Sequence, residues 1–136
     1  MSPPGEGGPL ARLIDMLNAR ELGRVAAAMT EDVQLRNLPL GETIEGRTAL
    51  IALIRHWLEA VPDGTIEPVN LVEGTDESGG ELLLRGTYTG PWNDGPVNRA
   101  ALQLPLAVAC SLQGGAVRSL RLYYDLATLL QAVGAL

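Results

Sequence analysis

The chain changes its hydrophobic period once, near Thr65, from helical spacing to alternation. Before this point apolar residues recur at helical spacing over about residues 10–29, with an interruption at Asn18–Gly23, and again over about residues 47–61. Spacings of i, i+3, i+4 and i+7 are typical of amphipathic helices. The first region therefore predicts two short helices or one bent helix. The second predicts one helix that ends at Pro62–Gly64.

Alternating apolar and polar residues predict five strands. A short strand, Asp32–Leu38, lies between the helical regions and is followed by a turn-rich connection, PLGETIEG. The longer strands are TIEPVNLVEG, ELLLRGTYTGPW, RAALQLPLAVACSL and AVRSLRLYY, separated by turn sequences that favour hairpins. Pro68 and Pro105 cannot donate to a strand ladder, so each marks an edge or a bulge. A last helix from about residue 126, with Gly134 at its C-cap, completes an α+β chain with an antiparallel meander.

Length and composition indicate one globular domain. The chain has 136 residues, of which 46% are hydrophobic, and a net charge of −6. We expect residues 1–9 to be a flexible leader and residues 10–136 to be a single domain. No stretch approaches the roughly 18 apolar residues of a membrane span, and the acidic balance argues against binding to nucleic acid. The single cysteine, Cys110, cannot form an internal disulfide, which favours a cytoplasmic protein.

Residues for metal or histidine chemistry are sparse. One histidine, one cysteine and scattered acids give no spacing typical of a metal site or of a nucleophile–histidine pair. His56 lies about 200° of helical rotation from Ile54, off the apolar face of the third helical segment. It is therefore expected to be solvated or at an interface. No glycine-rich segment joins a strand to a helix in the manner of a phosphate-binding loop.

Asp125 lies where the last predicted strand meets the last helix, and two roles are open to it. As an N-cap, its side chain would accept a hydrogen bond from a backbone amide two or three residues further on. As a catalyst, it would be a carboxylate with a raised pKa in apolar surroundings, able to move a proton at a carbon next to a carbonyl. The two roles do not exclude each other. Alternation places Asp125 opposite to the more apolar face of the strand, which comprises Leu120, Leu122 and Tyr124.

Four aromatic residues and one amide are the candidates for binding a ligand. Trp57, Tyr88 and Trp92 either fill the core or form the walls of a pocket, with Trp92 at its rim. Asn37, on the first strand, would orient a ligand carbonyl or serve only as a polar residue at a strand end. Tyr123, near the end of the last strand, completes the predicted ligand-binding set.

Three stretches carry a resemblance to a known family: AVPDG at residues 60–64, RGTYTGPW at residues 85–92 and RLYYDLATLLQAVG at residues 121–134. Over about residues 10–136 the chain resembles the SnoaL-like polyketide cyclase and ester cyclase group. This group belongs to the nuclear-transport-factor-like (cystatin-like) superfamily. In relatives the stretches read approximately as aromatic-Pro-Asp, Gly-Thr-His-Thr-Gly and Tyr-aromatic-Asp followed by a helix. Tyr88 here stands where many relatives have histidine.

The resemblance implies a fold and an activity. The fold is a cone-shaped, curved antiparallel sheet wrapped around the N-terminal helices, with an apolar pocket that is open at one end. The implied activity is that of a cyclase or isomerase without a cofactor, acting by acid/base chemistry on an apolar, polyketide-like carbonyl substrate of secondary metabolism. Asp125 occupies the position of the acid/base residue. A non-catalytic small-molecule-binding protein and a pure dimerisation module remain the alternatives.

The strand composition also indicates association. The segments ELLLRGTY and RAALQLPLAVACSL contain too many apolar residues for one face of the sheet to be fully solvated. We therefore expect a homodimer in which two sheets pack against each other.

Overall fold

The computed structural model describes residues 7–90 and 99–134. The predicted leader, residues 1–9, lies mainly outside this part, and Pro9 is already the first residue of a helix. In chain order the elements are α1 Pro9–Asn18, α2 Leu22–Ala27, β1 Met29–Asn37, β2 Glu42–Glu45, α3 Arg47–Ala60, β3 Thr65–Glu73, β4 Glu77–Thr87, β5 Ala101–Gln113, β6 Ala116–Tyr124 and α4 Leu126–Ala132. The α+β class is confirmed. No helix among these elements is long and apolar enough to span a membrane.

The six strands form one curved sheet in the order β2-β1-β6-β5-β4-β3. The four strands after Thr65 pair antiparallel with their neighbours in the chain, as the hairpin signals predict. One pair differs from the predicted antiparallel sheet, because β1 and β6 run parallel. The chain leaves β1, forms β2 and α3, completes the meander and returns to lie beside β1. This return places residues from the two ends of the chain next to each other.

The segment between β1 and α3 departs from the sequence prediction. Strand β1 begins at Met29 instead of Asp32, and β2 lies inside the predicted turn-rich connection. Ile44 on β2 is paired with Leu35 on β1. Four residues are too few for alternation to be recognised, so the strand was not visible in the sequence.

Both prolines of the meander lie where a strand lacks a partner on one side. Pro68 is in the edge strand β3, next to a register shift in its pairing with β4. Pro105 is in β5, one residue before the pairing with β6 begins at Leu106. The missing N–H of proline removes no ladder bond at such positions. The prediction of an edge or bulge at each proline is confirmed.

Helix α1 is fixed to the edge strand β3 at both ends. At its N-terminus the backbone amide of Leu10 donates to the Glu73 carboxylate at 2.7 Å. At its C-terminus the Asn18 side chain both donates to and accepts from the backbone of Ile66, each at 2.8 Å. These contacts hold the helix over one face of the sheet, where its buried residues join those of α3 in the main apolar cluster.

Candidate functional site

An apolar cavity of about 210 Å³ lies between the helices and the sheet. Helices α1 and α3 form one side, and strands β1, β4, β5 and β6 form the other. Leu129 of helix α4 and its C-cap residue Val133 also line the cavity. Most of the lining side chains are leucine, isoleucine or valine. Among the described residues, the lining side chains with polar atoms are Arg20, Asn37, Trp57, Tyr88 and Tyr124.

The alternation of the meander builds the sheet side of this cavity. Successive side chains of a strand point to opposite faces, so every second residue reaches the cavity. The lining residues of β4, β5 and β6 are all even-numbered: Leu82, Leu84, Leu102, Leu104, Leu106, Val108, Leu120, Leu122 and Tyr124. The face of β6 that the sequence identified as more apolar is therefore the face that lines the cavity.

Asn37 and Tyr124 form a hydrogen-bonded pair in the cavity wall. They lie on the parallel strands β1 and β6, where Asn37 is in register with Leu122. The Tyr124 hydroxyl donates to Asn37 Oδ1 at 2.8 Å. The Asn37 side chain is only 5% exposed, and its Nδ2 donates to no residue in the described ranges. The pair therefore leaves an amide donor unused in nearly apolar surroundings.

Burial favours the protonated form of the Tyr124 phenol. It raises the pKa of the Tyr124 phenol above the ordinary value of 10.0, the hydrogen bond to Asn37 lowers it, and Glu42 raises it further. The phenol is therefore protonated at neutral pH and acts as a neutral donor. The single proton of this phenol is donated to Asn37, so the neutral Nδ2 of Asn37 is the donor that suits a carbonyl or hydroxyl oxygen.

Two of the predicted aromatic residues also line the cavity. Trp57 contributes from α3, and Tyr88 contributes from the chain just after β4. Tyr88 is 1% exposed and packs in a second buried cluster with residues of β5 and α4. Trp92 lies outside the described residues. The structure thus brings Asn37, Trp57 and Tyr88 together around one cavity.

Asp125 is the N-cap of α4. Its Oδ1 accepts from the backbone amide of Ala127 at 3.1 Å, and its Oδ2 accepts from the Thr128 hydroxyl at 2.9 Å. The side chain is exposed and does not line the cavity. The structure thus shows the capping role, and the catalytic role stays a prediction.

Tyr123 requires a correction. Its side chain is 46% exposed and lies on the face of β6 opposite to Tyr124. Because side chains alternate along a strand, only one of these adjacent tyrosines can face the cavity. That residue is Tyr124, which the sequence analysis placed on the apolar face but did not select as a ligand-binding residue.

Arg20 is a lining residue that the sequence analysis missed. It has a positive φ of 61°, and its guanidinium donates to the backbone carbonyls of Pro62 at 3.0 Å and Gly64 at 2.6 Å. Its role is visible only after α1 and the end of α3 are brought together. His56 is exposed on α3, as predicted.

The face of the sheet opposite the cavity is here called the outer face. It includes Leu83, Pro105, Ala107 and Tyr123. Ala107 lies in register between Glu81 on β4 and Tyr123 on β6. Further along the sheet this face has an open, polar groove, which is lined by Asp32, Gln34, Glu45, Ser111, Arg118 and Arg121.

Comparisons with known proteins agree with this architecture. A family model described as the SnoaL-like domain matches residues 10–119. A candidate SnoaL-like polyketide cyclase from Jannaschia sp. CCS1 superposes with a TM-score of 0.81 at 22% identity, covering 94% of this chain and 90% of that chain. A candidate polyketide cyclase from Xanthomonas campestris superposes with a TM-score of 0.82 at 18% identity, covering 92% of this chain and 93% of that chain. A Catenulispora acidiphila protein with a ketosteroid isomerase-like fold superposes with a TM-score of 0.77 at 15% identity, covering 97% of this chain and 95% of that chain. No curated protein matches.

Proposed function

Because the chain belongs to the SnoaL-like domain family, we propose that it takes up a small molecule in the apolar cavity. The molecule is largely hydrocarbon and carries a carbonyl or hydroxyl oxygen that contacts Asn37 and Tyr124. The observation that carries this proposal is the hydrogen-bonded Asn37–Tyr124 pair, with its unused amide donor, in a wall that is otherwise nearly apolar.

The apolar wall favours a hydrocarbon skeleton, and the polar pair selects one oxygen on it. Burial of apolar ligand surface contributes roughly 25 cal/mol for each Å² removed from water. A buried donor that loses its partner costs about 1–3 kcal/mol. A ligand without oxygen would leave Asn37 Nδ2 in this costly state. A ligand carbonyl would accept its hydrogen bond, so the pair discriminates in favour of the oxygenated compound.

The charges around the cavity favour a neutral ligand. Among the described lining residues, Arg20 is the one with a charged side chain. Its guanidinium already donates to the carbonyls of Leu17, Pro62 and Gly64. A carboxylate in the cavity would lose its hydration without gaining a free cation, which is strongly unfavourable.

A catalytic form of the proposal is a cyclase or isomerase reaction on an apolar, polyketide-like carbonyl compound, with no cofactor. The Asn37 amide, whose Oδ1 accepts from the Tyr124 hydroxyl, donates through Nδ2 to a carbonyl oxygen and stabilises the negative charge that develops there when a neighbouring carbon loses a proton. The proton acceptor is Asp125 in the interpretation that the family resemblance implies, or water in the geometry described here. The alternative is a non-catalytic binding protein that uses the same cavity.

A matched pair of ligands tests the oxygen contact. The compounds are 2-acetylnaphthalene and 2-isopropylnaphthalene, which have similar shapes but differ in the carbonyl oxygen. Titration calorimetry should show that the protein prefers the ketone about fivefold to tenfold, since a hydrogen bond contributes about 1 kcal/mol net. Asn37→Leu should abolish the preference while retaining the affinity for the hydrocarbon.

Gln34→Leu is the matched control for this experiment. Gln34 lies on the same strand as Asn37 but contacts Glu45, away from the cavity. The control should retain the full preference for the ketone. Equal affinities of the unmodified protein for the two compounds, or no binding of either, would contradict the proposal.

We also propose that the protein is a homodimer through the outer face. Leu83, Pro105 and Ala107 give this face an apolar strip, and Tyr123 at its end is partly exposed. The substitution Ala107→Glu puts a charge in the middle of the strip and should yield a monomer. Light scattering at micromolar concentration measures both masses, and a monomeric unmodified protein would refute the proposal.

A further inference from the structure

Two of the sequence stretches that carry the family resemblance are in direct contact. Asp63, in AVPDG, accepts two hydrogen bonds from Thr87, in RGTYTGPW. The backbone amide of Thr87 donates to Asp63 Oδ1 at 2.7 Å, and its hydroxyl donates to Oδ2 at 2.9 Å. Three residues before Asp63, the Ala60 carbonyl accepts from the amide of Thr89 at 2.8 Å. We call these contacts between the end of α3 and the end of β4 the clasp.

Glycines allow the two segments of the clasp to approach closely. A Cβ atom added at Gly86 would overlap the Val61 side chain and lie 2.9 Å from the Cα atom of Gly64. A Cβ atom at Gly90 would lie 2.9 Å from the Cα atom of Ala60. At Gly86 and at Gly90, only a residue without a Cβ atom lets the two backbones lie this close together.

The clasp replaces a missing strand partner. The pairing of β4 with β3 ends at Arg85, whereas the pairing with β5 continues to Thr87. After Arg85, the backbone amides that point toward the β3 side no longer face a strand. The amide of Thr87 donates to Asp63 instead, and the amide of Thr89 donates to the Ala60 carbonyl. Tyr88 lies between these two attachments, and its own amide donates to the Ala100 carbonyl on the other side.

From this arrangement we infer that Asp63 is a positioning residue, which fixes Tyr88 in the cavity wall and so limits the size of the ligand. The inference rests on the proposed function of the cavity. Asp63 itself is exposed and does not line the cavity. It therefore acts through Thr87 on the neighbouring Tyr88, whose side chain is buried in that wall.

The test measures size selectivity with two probes, naphthalene and the longer anthracene, by titration calorimetry. Loss of the clasp in Asp63→Ala should let the Tyr88 wall relax. The ratio of the two dissociation constants should then change by about tenfold in favour of anthracene, comparable to the discrimination that a pocket draws from one methylene group. Asp63→Asn should behave like the unmodified protein, because the amide oxygen still accepts from the Thr87 backbone amide and the new Nδ2 can donate to the Thr87 hydroxyl. Glu21→Ala, at a surface ion pair with Arg24, is the control and should leave the ratio unchanged.

A purely structural role gives a different result. In that case Asp63→Ala lowers the melting temperature and reduces the affinity for both probes by the same factor. This result overturns the inference, while the proposed function stands. If the unmodified protein binds neither probe, this inference fails, while the proposed function stands or falls with the binding of 2-acetylnaphthalene. Should Asp63→Ala not fold, Thr87→Val removes only the hydroxyl bond. It should shift the ratio in the same direction by a smaller factor, and an unchanged ratio would again overturn the inference.

A second substitution locates the effect at Tyr88. In a Tyr88→Leu background, Asp63→Ala should no longer change the ratio, because the side chain that the clasp positions is gone. An equally large change in that background would show that Asp63 acts on another part of the wall, and would overturn the assignment to Tyr88.

Discussion

Asp63 and Asp125 accept hydrogen bonds from the same two kinds of donor, but they serve different parts of the fold. Each carboxylate accepts one backbone amide and one threonine hydroxyl. The donors of Asp125 lie two and three residues further along the chain, inside the helix that it begins. Both donors of Asp63 belong to Thr87, 24 residues away. Asp125 is therefore a local cap, whereas Asp63 joins two separate elements at the cavity.

The difference shows where each residue can affect function. A cap stabilises its own helix, and its loss is felt mainly as fraying of that helix. A contact between distant elements sets their relative position, and its loss changes the wall that they form. Similar hydrogen bonds thus have different consequences, because the distance along the chain between donor and acceptor differs.

The largest expected effect concerns proton transfer. The methyl protons of 2-acetylnaphthalene exchange slowly with D₂O, and NMR measures whether the protein accelerates this exchange. If Asp125 is only a cap, Asp125→Asn should keep the acceleration, since asparagine caps about as well as aspartate. Asn37→Leu, which removes the free amide donor, should lose about 10²-fold, the usual cost of removing one donor to a developing oxyanion.

Two outcomes would break this view of Asp125. A loss of about 10²–10⁴-fold in a folded Asp125→Asn protein would make Asp125 the acid/base group. No acceleration by the unmodified protein would favour the non-catalytic alternative. As a control on folding, Asp125→Ala should lower the free energy of unfolding by about 1 kcal/mol in urea titrations, because the cap is lost.

The smallest expected effect is a pH dependence that belongs to Asp63. The amide and hydroxyl of Thr87 hold the pKa of Asp63 below its ordinary value of 3.8, and Arg20 contributes to the same direction. The unfolded chain then takes up the proton first as the pH falls, so the stabilisation is present above 3.8 and is lost as the pH falls through the lowered pKa. The melting temperature below pH 4 should fall less steeply in Asp63→Asn than in the unmodified protein. Identical slopes would show that the contact with Thr87 does not contribute to stability in solution.

The sequence predicted the features that depend on a local period. Helical spacing located α1 and α3, and alternation located the four strands of the meander. The same alternation assigned Leu120, Leu122 and Tyr124 to one face of β6, which is the face that lines the cavity. The cap at Asp125 was also predictable, because its donors lie within one turn of helix. Such features can be predicted because the pattern repeats along the element or because the hydrogen bonds join residues only a few positions apart.

Only the tertiary structure decided which of these faces and ends meet. Asn37 and Tyr124 are 87 residues apart and become partners because β6 returns to lie parallel to β1. Asp63 and Thr87 meet because the end of α3 takes the place of β3 beside β4. The choice of a distant partner depends on how the whole core packs and on how the chain closes, and no short period records it. For this reason the sequence determined the walls of the cavity, whereas its polar pair and its clasp became visible only in the folded chain.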